Sequence, residues 1–191
     1  MRQIAIFASG SGSNFQAIVN AVQAGTLKAN IGLLVCDQPG AFVIHRAQSA
    51  GIPAFVFRAK DYENKQAFER EIQRHLEAAG VDFIVLAGYM RLIGPTLLES
   101  YGGRIVNIHP SLLPAFPGKD AVGQALEAGV KITGVTVHYV DAGMDTGEII
   151  EQEIVRISTG ETRDSLQEKI QHVEHHLYPV TLNHLFLTTG Y

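Results

Sequence analysis

The chain has 191 residues, 46% hydrophobic and 18% charged, a balance that suits a folded globular protein and excludes a disordered one. Its 15 Lys and Arg against 19 Asp and Glu give a net charge of −4, with no basic run or stripe, which argues against a nucleic-acid substrate. Cys36, the one cysteine, excludes an internal disulfide, fits a reducing and cytoplasmic setting, and follows an apolar run as a small core residue would.

The apolar opening at residues 4–8 reaches Ser9-Gly10 quickly, so it reads as a first strand and not as a signal peptide. No later segment is long enough to span a membrane. Ser9-Gly10-Ser11-Gly12-Ser13-Asn14 then lies between that strand and a helix over residues 14–24. Glycines let the backbone approach an anion closely, and first-turn N–H groups with the helix dipole favour negative charge. Gly12, Ser13 and Asn14 are therefore candidate phosphate contacts. The loop lacks the Lys-Ser/Thr ending of a P-loop, and Phe15 stands where a dinucleotide fingerprint needs its third glycine. Asp37, ending the second strand, is placed like the ribose-binding acid of that fingerprint. A phosphate site, a dinucleotide site and a plain turn stay open on these residues.

Strand patterns at 31–36, 54–57, 83–87 and 105–108 alternate with helical patterns at 42–50, 65–79 and 95–101. Gly25, Gly51 and Gly80 follow the first three helices, as C-terminal glycines do. This alternation predicts an α/β, Rossmann-like, mostly parallel sheet with helices on both faces. A helix over 121–128 precedes two strand-like segments, 132–140 and 147–157. Their turn-rich linker, 141–146, predicts an antiparallel C-terminal hairpin. A last helix runs from 162 to 187 and is expected to be interrupted near Pro179. No repeat or linker appears, so residues 1–191 read as one domain.

The fifth strand runs out into Asn107-Ile108-His109-Pro110-Ser111-Leu112-Leu113-Pro114. Asn107 and His109 are two apart, so on a strand they point the same way. Two N–H donors aimed at one oxygen suit an oxyanion in acyl or formyl transfer; a strand end capped by polar turn residues is the plainer reading. Elsewhere His172, His175 and His176 surround Glu174 but match neither helical zinc motif, so a solvated helix face, with no metal, is expected. His138 reads as a satisfied, partly buried histidine.

Together these stretches, with Leu86-Ala87-Gly88-Tyr89-Met90-Arg91-Leu92-Ile93, Gln124-Ala125-Leu126-Glu127, Val137-His138-Tyr139-Val140, Asp145 and Glu174-His175-His176-Leu177-Tyr178-Pro179, resemble the folate-dependent formyltransferases over nearly the whole chain. The resemblance implies transfer of a formyl group from 10-formyltetrahydrofolate, as cosubstrate and without a metal, to the amine of glycinamide ribonucleotide. Relatives acting on methionyl-tRNA or hydrolysing formyltetrahydrofolate carry additional domains that this length leaves no room for. It implies Asn107, His109 and Asp145 as the catalytic set, with Asp145 pairing with His109 and favouring its protonated form. Gly12, Ser13 and Asn14 would clamp the ribose phosphate, and Glu174 would meet the ribose hydroxyls. Met90, Arg91, Leu92 and Ile93 would line the pterin pocket, with the 141–145 turn closing over it, and Asn107 would also touch the folate. Lys65 falls where the family often has an arginine near the folate tail. The Leu113-Pro114 bond is expected to be cis. No motif bears on oligomeric state.

Overall fold

The computed structural model describes residues 1–188. Within them the chain order is β1 (Arg2–Ala8), α1 (Ser13–Gln23), β2 (Ala29–Cys36), α2 (Val43–Ser49), β3 (Ala54–Val56), α3 (Lys65–Ala78), β4 (Phe83–Leu86), α4 (Pro95–Tyr101), β5 (Ile105–His109), α5 (Ala121–Ala128), β6 (Ile132–Tyr139), β7 (Ile149–Arg156) and α6 (Arg163–Thr188). The strands form one sheet in the order β3-β2-β1-β4-β5-β6-β7. Its first five strands are parallel, β6 is antiparallel to β5, and β7 is antiparallel to β6. The mostly parallel α/β sheet and the antiparallel hairpin expected from the sequence are both present.

Successive strand residues point to opposite faces. Ile4, Ile6 and Ala8 of β1 pack with residues of α1, α2 and α6 on one side. Ala5 and Phe7 pack with α3 and α4 on the other. Both faces are covered at the centre of the sheet, which is why β1 and β4 read as apolar runs instead of polar–apolar alternation. β1 lies between β2 and β4, so the chain leaves β1 toward one edge and later returns to its other side. The loops after β1 and β4 therefore diverge and leave a crevice at the carboxyl ends of these strands.

One short element is added and one expectation changes. A single 3-10 turn at Ala59–Asp61, too short to leave a periodic signature, joins β3 to α3. More importantly, α6 runs unbroken from Arg163 to Thr188 with Pro179 inside it. An interior proline removes one helical hydrogen bond and crowds the preceding turn, at about 3 kcal/mol. Burial of Leu177, Tyr178, Pro179, Leu182 and Leu185 offsets that. Tyr178 also donates its hydroxyl to the Leu86 carbonyl oxygen at 2.8 Å, with the Val106 oxygen 3.3 Å away, tying the helix to the ends of β4 and β5.

Candidate active site

β5 aims the central side chains. Val106 and Ile108 turn into the core on the α6 side. Asn107 and His109 consequently face the other side, where the apolar cluster takes only Ile105 from this strand. The antiparallel register sets His138 of β6 directly opposite Asn107, and Thr136 opposite His109. Facing residues on neighbouring strands have side chains within contact reach.

His109 is buried, with Nδ1 3.4 Å from Asp145 Oδ2 and Nε2 2.8 Å from the Phe116 carbonyl oxygen. Both ring nitrogens thus face acceptors, an arrangement that a doubly protonated ring satisfies fully. Asp145 reaches the site from the β6–β7 turn through a left-handed backbone, φ 55°. Its Oδ2 also accepts the Gly118 N–H at 2.8 Å, and its Oδ1 lies 3.7 Å from His138 Nε2. Burial pushes the Asp145 carboxyl up, but the His138 ring, the Gly118 N–H and the His109 ring outweigh it and hold it below its ordinary value. The turn itself is fixed by Asp141, which accepts from the Thr146 hydroxyl at 2.6 Å and the Gly143 N–H at 3.0 Å.

His138, expected to be a satisfied, partly buried histidine, is buried and also belongs to the site. Its Nδ1 faces the Tyr139 carbonyl oxygen at 2.8 Å, and its Nε2 lies 3.3 Å from Asn107 Nδ2. With a proton on Nδ1 the ring accepts from Asn107; a second proton on Nε2 would turn that nitrogen toward Asp145. Accepting one amide N–H fixes the Asn107 carboxamide and leaves its other N–H for the cleft. Thr136 and Gln152 are unannounced by any motif. Thr136 Oγ1 donates to Ser111 O at 2.7 Å and accepts the Leu113 N–H at 3.0 Å, while Gln152 Nε2 donates to Leu113 O at 3.0 Å. They moor the loop after His109, in which Leu113-Pro114 is cis as expected.

A cleft of about 660 Å³ runs past these groups. Gly12, Ser13, Asn14 and Glu174 line it together with Met90, Arg91, Leu92, Ile93, Asn107, His109 and Asp145. Lys65 does not: it opens α3, outside the lining. At the loop end, Gly12 caps α1 in a left-handed conformation, φ 75°, with no side-chain cap, so the first-turn N–H groups of α1 are available to an anion. Asn14 Nδ2 donates to Glu174 Oε2 at 3.3 Å. Burial raises the Glu174 carboxyl to about 7, against the opposing pull of that hydrogen bond. The expected solvated face holds for His172 and His176, which are exposed, but not for Glu174, which is buried. Asp37 is taken up by other partners: it is buried, pairs with Arg91 Nε at 2.7 Å and accepts from Ser9 Oγ at 2.5 Å. That leaves the dinucleotide reading without its ribose-binding acid. Among the described residues no cluster of three His, Cys, Asp or Glu side chains is arranged to hold a metal ion.

The formyl transferase family matches residues 2–182. The chain belongs to the formyl transferase family. Within the family it is 55% identical to phosphoribosylglycinamide formyltransferase of Bacillus subtilis (strain 168), over 97% of this chain and 95% of that protein. The structure of glycinamide ribonucleotide transformylase 1 from Geobacillus kaustophilus superposes with a TM-score of 0.95 at 63% identity, covering 97% of this chain and 98% of that one. The trifunctional purine biosynthetic protein adenosine-3 of Drosophila melanogaster is 43% identical over 95% of this chain, which matches 14% of that longer protein. In this formyl transferase the matched region contains every group of the cleft described above.

Proposed function

We infer that the chain transfers the formyl group of 10-formyltetrahydrofolate to the amine of glycinamide ribonucleotide, in purine biosynthesis. The observation that carries this reading is the convergence of Asn107, His109 and Asp145 in one cleft that a neutral anion-type loop also lines. The amine attacks the formyl carbon and gives a tetrahedral intermediate with an oxyanion. Asn107 donates its free amide N–H to that oxygen. His109 exchanges the Phe116 carbonyl for the same oxygen, since hydrogen bonds at unliganded sites commonly rearrange as substrate arrives. Asp145 holds the ring and balances its charge. The amine then loses a proton, the bond between the formyl carbon and the folate nitrogen breaks, and that nitrogen takes the proton, releasing tetrahydrofolate. Donors aimed at the developing charge supply most of the acceleration in this kind of chemistry.

On this reading Gly12, Ser13 and Asn14 hold the phosphate and Glu174 the ribose hydroxyls. Met90 to Ile93 receive the pterin, Lys65 stays outside the contact set, and residues 1–191 work as one unit in the cytoplasm. Of the described residues, no helix is long and apolar enough to cross a membrane. The test is incubation with 10-formyltetrahydrofolate and glycinamide ribonucleotide, following tetrahydrofolate release. Release that requires the ribonucleotide is expected; release independent of it, or none, overturns the assignment.

A further inference from the structure

The anion loop carries no cation of its own: Ser9 to Asn14 offers hydroxyls, an amide and backbone N–H groups. Directly behind it stands Arg46 of α2. Its Nε donates to the Ser11 carbonyl oxygen at 2.8 Å, Nη1 donates to Gln16 Oε1 at 3.4 Å, and its guanidinium carbon lies 5.0 Å from the centre of the Phe42 ring. Among the described residues no carboxylate pairs with this guanidinium, whereas the two arginines that line the cleft are neutralised, Arg91 by Asp37 and Arg163 by Asp120. Two histidines of α6 lie on the same side, and Arg46 acts electrostatically on one of them, His175. His172 is exposed; His175 is half-buried and its Nε2 is buried without a partner. Burial, then the charges of His172 and Arg46, hold His175 below its ordinary value. Arg46 therefore stands behind a loop of neutral donors without a carboxylate paired to it, while Glu174, the acid that touches the loop, is bonded to Asn14. An unpaired charge in partly buried surroundings is unfavourable until an opposite charge arrives.

We propose that Arg46 supplies the charge that makes this loop select a dianionic phosphate: the neutral donors of Gly12, Ser13 and Asn14 hold the oxygens, and Arg46, one peptide group behind Ser11, balances the charge. The proposal rests on the assignment of the loop to the phosphate of the ribonucleotide. It separates two jobs that a P-loop lysine performs at once, contact and charge neutralisation. The competing role for Arg46 is mechanical, as a clip on the Ser11 carbonyl, and the two roles respond differently to substitution. Arg46→Lys keeps the charge and loses the rigid fork; Arg46→Gln keeps an N–H donor and loses the charge.

Calorimetric titration of the parent, Arg46→Gln and Arg46→Lys with glycinamide ribonucleotide and with its phosphate-free riboside separates them. Loss of one full charge near a dianion at intermediate dielectric is expected to weaken ribonucleotide binding about tenfold in Arg46→Gln at low salt. Arg46→Lys should stay within about threefold of the parent, riboside binding should not change, and added salt should weaken the ribonucleotide complex less in Arg46→Gln than in the parent. Equal losses in the two variants, or a riboside affinity that falls with the ribonucleotide affinity, would make Arg46 a clip only and overturn the proposal. A parent that prefers the ribonucleotide, beside an Arg46→Gln protein that keeps the full preference, overturns the proposal and leaves the loop assignment standing. A parent with no preference overturns both.

Discussion

Asp145 serves two functions with one carboxylate. It accepts the Gly118 N–H, a backbone-fixing bond that an amide oxygen makes equally well, and it faces the rings of His109 and His138 with a negative charge that an amide lacks. Asp145→Asn divides these roles. The turn should persist, so thermal unfolding should shift by no more than a few degrees, while turnover at saturating substrates should fall by about 10²–10⁴-fold, the range for loss of a group that works on a proton-transferring partner. The pH dependence has a definite sign. The carboxyl is held below its ordinary value, so the charge is fully present above that value and is lost only as pH falls through the lowered one. A decline of activity in mild acid therefore belongs to another group. Parental turnover in Asp145→Asn would reduce this residue to a turn-former. Combining it with His109→Ala should add little further loss, because the two residues act as one unit.

At the scale of elements, the anion loop depends on α2 as much as on α1. Gly12 has φ 75°, and a Cβ built there would stand 2.5 Å from Val43 Cγ2. Val43 N–H also donates to the Gly10 carbonyl oxygen at 3.1 Å, so α2 straps the loop from behind. Gly12→Ala thus combines left-handed strain with overpacking and should destabilise by about 2–4 kcal/mol in denaturant titrations. Ribonucleotide affinity should drop more than folate affinity. Adding Val43→Ala vacates the contact, so the pair should lose less than the sum of the single changes; strict additivity would mean that packing on α2 plays no part. The central strands were legible because both faces of β1, β4 and most of β2 are buried, leaving apolar runs. Asn107, His109 and the loop were legible because local spacing carries them, and Asp145, far from them in sequence, entered only through the resemblance to the folate-dependent formyltransferases. His138 was not: it becomes a site residue only when β6 pairs antiparallel with β5 and sets it against Asn107, a long-range register that apolar alternation does not encode. Pro179 misled for the complementary reason, since local backbone chemistry favours a break there and burial in the core overrides it.

For the molecule as a whole, Glu174 couples stability to recognition. It lies on α6, buried, beside Asn14 of α1, with its carboxyl raised to about 7 by burial. The unfolded chain releases this proton near the ordinary value of 4.5, while the folded chain keeps it to about 7. Between those values the native state binds more protons than the unfolded one, so stability falls as pH rises through the window. The total is about 3 kcal/mol, and it stays lost at higher pH. Glu174→Gln cannot ionise and can still accept from Asn14. It should match the parent in stability below the window and exceed it by up to about 3 kcal/mol at about pH 8. The same change removes a charged acceptor for ribose hydroxyls, and charge-assisted hydrogen bonds are about twice as strong as neutral ones. Ribonucleotide affinity in the parent should therefore rise as pH passes through about 7. In the variant it should stay flat and lie about tenfold lower at the alkaline end, one hydrogen bond's worth. A protein made more stable and less able to bind its substrate by one substitution is the expected signature of a site that holds strain for function. Denaturant titration and calorimetry on both sides of pH 7 decide it. A variant no more stable than the parent at about pH 8 would mean that ionising Glu174 carries no burial penalty, whereas parental affinity in a stabilised variant would remove Glu174 from the ribose contacts and leave it a purely structural residue of the α1–α6 interface.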